Sequence, residues 1–170
     1  MRNTLPQLVL VALVAMFCLA SCKDSGLPLQ HAANCVYKTP EQLAQSLALC
    51  LRDEDYNCAQ NYLPGVGNVL KLKDNTEDAD TANFGSKADH LLVVALKKDI
   101  ASLRAEIVAK GGDLAKLKLE KTTQTEKDAI LKMVMYLSAG ELKFTMEPVG
   151  LFNSEGSWYI LGSRFTTTFE

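Results

Sequence analysis

Histidine is nearly missing from this chain: His31 and His90 are the only two among 170 residues. A zinc site of imidazoles and thiolates needs its ligands at set spacings. Neither histidine sits in such a cluster, so no metal and no cofactor is expected. Charge of one sign is also scarce. The formal net charge is −2, too weak to leave the electrostatic footprint of a nucleic-acid binder. No apolar run is long enough to span a bilayer, which takes about 20 residues; residues 8–19 supply only about a dozen. Repeats and low-complexity tracts do not occur, and the length suits one domain with one core. No serine, cysteine or carboxylate constellation stands out for nucleophilic catalysis, so no catalytic residue is named.

What the chain does have is a leader. Arg2 supplies a positive start and residues 8–19 an apolar core of the length found in signal peptides, roughly 7–15 residues. The small residues Ala20 and Ser21 follow. Leu19, Ala20, Ser21 and Cys22 together resemble a bacterial lipobox. That resemblance implies a diacylglycerol on the Cys22 thiolate, cleavage before Cys22 and acylation of the new amino terminus. Residues 1–21 are then a lipoprotein signal peptide. Two or more acyl chains hold a protein firmly on a membrane where one holds it only marginally, so the lipid takes the place of a membrane-spanning helix. Lys23 stands where an inner-membrane retention signal would be Asp. By resemblance to sorted lipoproteins this places the protein on the outer membrane, facing the periplasm.

Residues 22–38 read as a lipidated tether, with Ser25, Gly26 and Pro28 and no periodic pattern. A helix opens at Thr39, a capping residue followed by Pro40 at the first helical position and Gln42 for a capping box. Leu43, Leu47, Cys50 and Leu51 fall on one face. Asp55 caps a second short helix over residues 56–63, with Ala59, Tyr62 and Leu63 inward. Residues 69–73 could form a short strand. Residues 74–84 are acidic but lack the glycine and closing glutamate of a calcium loop, so they read as a solvated loop. Ser86 opens the longest helix, to residue 110, with Leu92, Leu96, Ile100, Leu103 and Ile107 in one stripe and Gly111 and Gly112 as its stop.

Strands fill the remainder. Leu117 and Leu119 alternate with lysines, and residues 130–137 are apolar almost throughout. Leu142, Phe144 and Met146 alternate with Lys143, Thr145 and Glu147. Pro148 and Gly150 predict a bulge or an edge. Residues 153–156 read as a hairpin turn, and residues 158–169 as the last strand. Helices first and strands after imply an α+β fold. Leu96, Ile100, Leu103, Phe144, Met146 and Trp158 are the candidate core or pocket between the long helix and the sheet.

After Cys18 leaves with the leader and Cys22 is acylated, Cys35, Cys50 and Cys58 remain in an oxidising compartment. Cys50, in the last turn of the first helix, and Cys58, in the first turn of the second, are the expected pair. The break between them could bring their Cα atoms within the roughly 4.4–6.8 Å a disulfide needs. A bridge from Cys35 to Cys58 is the main rival.

Thr39, Pro40 and Glu41 with Leu43 and Leu47, then Asp55 and Tyr56 with Ala59, Tyr62 and Leu63, resemble the NTF2-like (cystatin-like) superfamily. Residues 155–160, Glu-Gly-Ser-Trp-Tyr-Ile, match that family's last hairpin. The chain looks most like small bacterial lipoproteins of unknown function that carry one such domain, here residues 39–170. The resemblance implies a curved antiparallel sheet packed on a long helix, after two short N-terminal helices. The acidic stretch and the cysteines of the first two helices depart from the pattern. Two functions stay open. One is a non-enzymatic envelope lipoprotein that binds a protein partner or a small apolar ligand. The other is an enzyme of the isomerase or hydratase kind found on this fold, which would need an ionisable side chain inside the cone. Tyr62, Tyr136 and Tyr159 could donate hydrogen bonds there, whereas Glu141 and Glu147 fall on the solvent face and His90 near the start of the long helix.

Overall fold

In the computed structural model, residues 26–64, 88–127 and 129–170 are described. The leader, Cys22, the possible strand at 69–73, the acidic stretch and the Ser86 cap lie outside the described residues.

Helix α1 spans Pro40–Asp53. Thr39 Oγ1 accepts from the Gln42 N–H at 3.3 Å. Gln42 Oε1 accepts from the Lys38 N–H at 2.8 Å, one residue earlier than a capping box requires. Leu43, Leu47, Cys50 and Leu51 are fully buried. Arg104 of the following helix donates to the Leu51 and Arg52 carbonyls, acceptors that a helix end leaves open. The second short helix does not form. Only a 3-10 turn, Ala59–Asn61, follows α1. Asp55 Oδ1 accepts from the Asn57 N–H at 3.0 Å, a local turn that competes with helix. The inward positions expected of it, Ala59, Tyr62 and Leu63, are nonetheless buried.

Helix α2 spans Ala88–Ala109. Leu96, Ile100, Leu103 and Ile107 are buried and Leu92 packs against them. Gly111, at φ +85, supplies the left-handed turn, and the Gly112 N–H closes it on the Ile107 carbonyl at 2.9 Å.

The strands are β1 (Leu117–Lys127), β2 (Ile130–Ala139), β3 (Leu142–Pro148), β4 (Leu151–Ser154), β5 (Ser157–Ile160) and β6 (Phe165–Phe169), in one antiparallel sheet. β1 lies along one edge of β2, with β3 and then β4 along the other. Met135 faces Met146 while Leu131 faces Leu151, so four residues on β2 answer five on its partner. β3 and β4 are thus one strand with a bulge where Pro148 and Gly150 sit. A Cβ on Gly150 would come within 2.8 Å of the Ile130 side chain. The last strand is likewise two, interrupted at residues 161–164: β5 pairs β4 and β6 pairs β3. The β4–β5 turn puts Glu155 and Gly156 at positive φ, as a two-residue hairpin with right-handed strand twist requires. The architecture is α+β.

Two expectations are corrected at the amino-terminal end. The tether is not free along its described part. The Leu27 N–H donates to the Leu119 carbonyl at 2.7 Å, the Tyr37 carbonyl accepts from the Trp158 N–H at 2.8 Å, and Leu27, Leu29 and Ala32 pack against the core. Residues 26–38 form a strap laid on the domain. The disulfide joins Cys35 to Cys58, Cα atoms 5.4 Å apart, and Cys50 is a buried free thiol rather than the partner of Cys58. The strap runs back along α1, which brings Cys35 to the loop that follows the helix. Cys50 instead faces the interior, its Sγ donating to the Asp55 carbonyl at 2.6 Å.

Candidate functional site

Helical spacing on α2 and period-two spacing on β3 turn one face of each toward the core. Leu96, Ile100 and Leu103 from the helix and Phe144 and Met146 from β3 are buried in one cluster, with Trp158 of β5 half-buried against it. Phe144 packs on Phe169 with ring centroids 5.5 Å apart. Among the described residues the buried polar side chains are Ser46, Ser138, Ser154 and Ser163, with no carboxylate or imidazole among them. Glu141 and Glu147 are exposed, and Tyr136 lies under Lys121 with its ring 4.5 Å from Nζ. Tyr159 stacks on Phe152 at 5.6 Å. The side chain of His90 lies outside the described residues.

Ionisable and nucleophilic groups gather elsewhere, where the strap crosses α1. Ser46 sits on the buried face of α1 and is 0% exposed. Its Oγ lies 3.0 Å from Tyr37 Oη and 2.9 Å from Tyr62 Oη, and hydrogen-bonds His31 Nδ1. Tyr62 Oη also lies 2.9 Å from Cys50 Sγ. The other ring nitrogen, His31 Nε2, is 3.1 Å from Asp55 Oδ2, within ion-pair reach although it completes no hydrogen bond.

Ser46, His31 and Asp55 therefore have the membership of a hydrolase triad, and the geometry argues against that role. A serine hydroxyl has one proton and two lone pairs; here the three groups around Ser46 Oγ use them all. No face of it is open to a substrate. Burial pushes the Cys50 thiol up to about 11, the Tyr62 hydrogen bond and Asp55 acting as lesser influences. Burial likewise lifts the Tyr37 phenol to about 12 and raises Tyr62 further. A thiol held protonated is a poor nucleophile. The network satisfies buried polar groups and fastens the strap. Its pairs around Ser46 lie 9 to 16 residues apart in sequence and meet only through the fold.

The grooves are on the surface. One of about 280 Å³ lies between α2 and β6, lined by Asp99, Glu106 and Arg164 among others. A wider one, about 740 Å³, runs past Asp113, Lys118, Glu120 and Ser138, and a third, about 270 Å³, opens beside the start of the strap. Among the described residues no trio of metal-ligating side chains converges, and no helix is long and apolar enough to cross a membrane. Comparison with family models, curated proteins and solved structures finds no match.

Proposed function

We propose that this protein is a lipid-anchored lipoprotein of the bacterial envelope, held on the outer membrane through Cys22 and facing the periplasm. Its NTF2-like domain acts by binding rather than catalysis. The observation that carries the anchor is Leu19, Ala20, Ser21 and Cys22 at the end of an apolar run too short to span a bilayer. Lys23 after Cys22 favours the outer membrane. The NTF2-like assignment is supported by the order of elements: a capped helix, a turn, a long helix, then four lines of antiparallel strand of which two are interrupted.

Binding is favoured over the isomerase or hydratase alternative because such chemistry needs an acid or base facing the reacting group. The described cluster between α2 and the sheet offers neither. The burial of Leu96, Ile100, Leu103, Phe144 and Met146 favours a protein partner, met at the surface, over an enclosed apolar ligand. The test is Cys22→Ser in cells fed labelled palmitate. Wild type takes up label and sediments with membranes; the variant does neither. A variant that labels and fractionates like wild type defeats the reading. Co-purification from detergent-solubilised envelope then identifies the partner.

A further inference from the structure

Only Lys23, Asp24 and Ser25 lie between Cys22 and Gly26, a reach of four residue steps, and just beyond Gly26 the strap is fastened. The Leu27 N–H bonds the β1 edge at the Leu119 carbonyl, and Cys35 is covalently tied to Cys58. Four residues reach at most about 14 Å. The polar layer on each side of a bilayer is itself about 5–7 Å deep. With Cys22 acylated, the surface around Gly26 is held within one short span of the headgroups, and no long tether exists to carry it away.

That surface has a definite chemistry. The groove beside residues 26–29 is lined on its far side by Arg52, Lys116 and Lys118 and by no acidic residue. These bases come from the end of α1, from the turn leading into β1 and from β1 itself, which pack on one another beside the strap. We infer that the face carrying Arg52, Lys116 and Lys118 lies against the membrane and binds the phosphates of anionic phospholipid headgroups. The inference rests on the lipid anchor proposed above.

The bases are not without partners. Lys116 Nζ is 3.2 Å from Asp113, Arg52 makes a two-pronged contact with Asp53 at 2.8 and 2.7 Å, and Lys118 is engaged as well. The Lys116–Asp113 pair is solvent-exposed, and such single-pronged pairs are weak and readily exchanged; the two-pronged Arg52–Asp53 pair is stronger, so the two lysines lead the contact. A dense layer of phosphates a few ångströms away competes with single carboxylates, and each basic residue near an anionic surface adds to the attraction. Leu27 and Leu29 are partly buried in the protein's own core, so the contact is electrostatic and sensitive to salt.

The full chain is expressed in bacteria, purified in detergent in its lipidated form, and reconstituted into two kinds of vesicle. One is neutral phosphatidylcholine; the other contains phosphatidylglycerol as well. A membrane-impermeant amine reagent is applied, and labelling at each lysine is read by peptide mass spectrometry. Lys132 and Lys98, both exposed and away from the strap, serve as internal references. The expected result is at least a threefold slowing at Lys116 and Lys118, relative to the references, in the anionic vesicles only, reversed by high salt. Equal ratios in anionic vesicles, neutral vesicles and detergent overturn the inference. The mass of the amino-terminal peptide in the same sample reports acylation of Cys22. Unprotected lysines with Cys22 acylated defeat the membrane-facing surface alone; an unacylated Cys22 defeats both it and the anchor.

Discussion

The apolar cluster to which α2 and β3 both contribute and the contact between the strap and α1 are both buried, and they draw on different kinds of side chain. The first meets through Leu96, Ile100, Leu103, Phe144 and Met146, groups without polar atoms that need only shape. The second meets through an imidazole, two phenols, a hydroxyl and a thiol, each of which must find a partner or pay for desolvation. Apolar packing is roughly proportional to area and forgiving of exchange. A buried polar network specifies one arrangement and fails when any member is removed. The strap is accordingly fixed in position by its polar contacts and the Cys35–Cys58 bridge as well as by Leu27, Leu29 and Ala32 against the core, whereas the side chains of α2 and β3 are held by volume.

The sharpest way to separate the two regions is to damage each. Phe144→Ala removes a buried ring from the dry contact and should cost about 3–5 kcal/mol, lowering the melting temperature by many degrees with no dependence on pH. A change within the error of the melt would mean that β3 does not carry the core.

The polar side should answer to pH instead. Cys50 is held neutral, its pKa lifted by burial from 9.0 to about 11. A raised acid pKa contributes stability that is complete below the unfolded value and lost as pH rises through the folded one. The decline should therefore run from about pH 9 to about pH 11, on the order of 2–3 kcal/mol. Tyr37 adds a second decline between 10.0 and about 12. Urea midpoints measured across this range should fall, and Cys50→Ala should flatten the first part of the slope. An unchanged slope in the variant would remove Cys50 from the network.

Ser46→Ala should cost about 1–3 kcal/mol, because His31 Nδ1 and both phenols lose a common partner. Thermal unfolding near neutral pH measures it; a loss below about 0.5 kcal/mol would show that water replaces the hydroxyl. At the small end stands Lys143→Ala, one residue from Phe144 and exposed, expected to change stability by less than about 0.5 kcal/mol. A loss there as large as that of Phe144→Ala would shift the strand by one residue and exchange its faces.

Much of the apolar region was legible because its information is local. The stripe on α2, the alternation of Leu142, Phe144 and Met146, the cap at Thr39 and the stop at Gly111 are each set by neighbours within a few positions. The interruption of the last strand falls at Leu161, Gly162, Ser163 and Arg164, where Gly162 and Ser163 are a breaker signal that the reading of one strand over residues 158–169 passed over. The second short helix failed because a capping residue was read without the competing turn at Asp55 and the bridge at Cys58. Of the polar network only the inward positions of Cys50 and Tyr62 were legible: His31 lies in a segment with no periodicity, and its partner Ser46 reads as an ordinary helical serine.

The α+β order of elements, the inward faces of α1, α2 and β3 and the hairpin at residues 153–156 follow from the sequence by itself, because propensity, period and short motifs act over a few residues. Which cysteine pairs with Cys58, where the strap lies, and which bases gather beside Gly26 were decided only by the tertiary structure. Those outcomes depend on chain segments that are distant in sequence arriving at one place. Local preference cannot encode such a meeting; it is fixed when α1, the strap and the edge of the sheet bury their common surface.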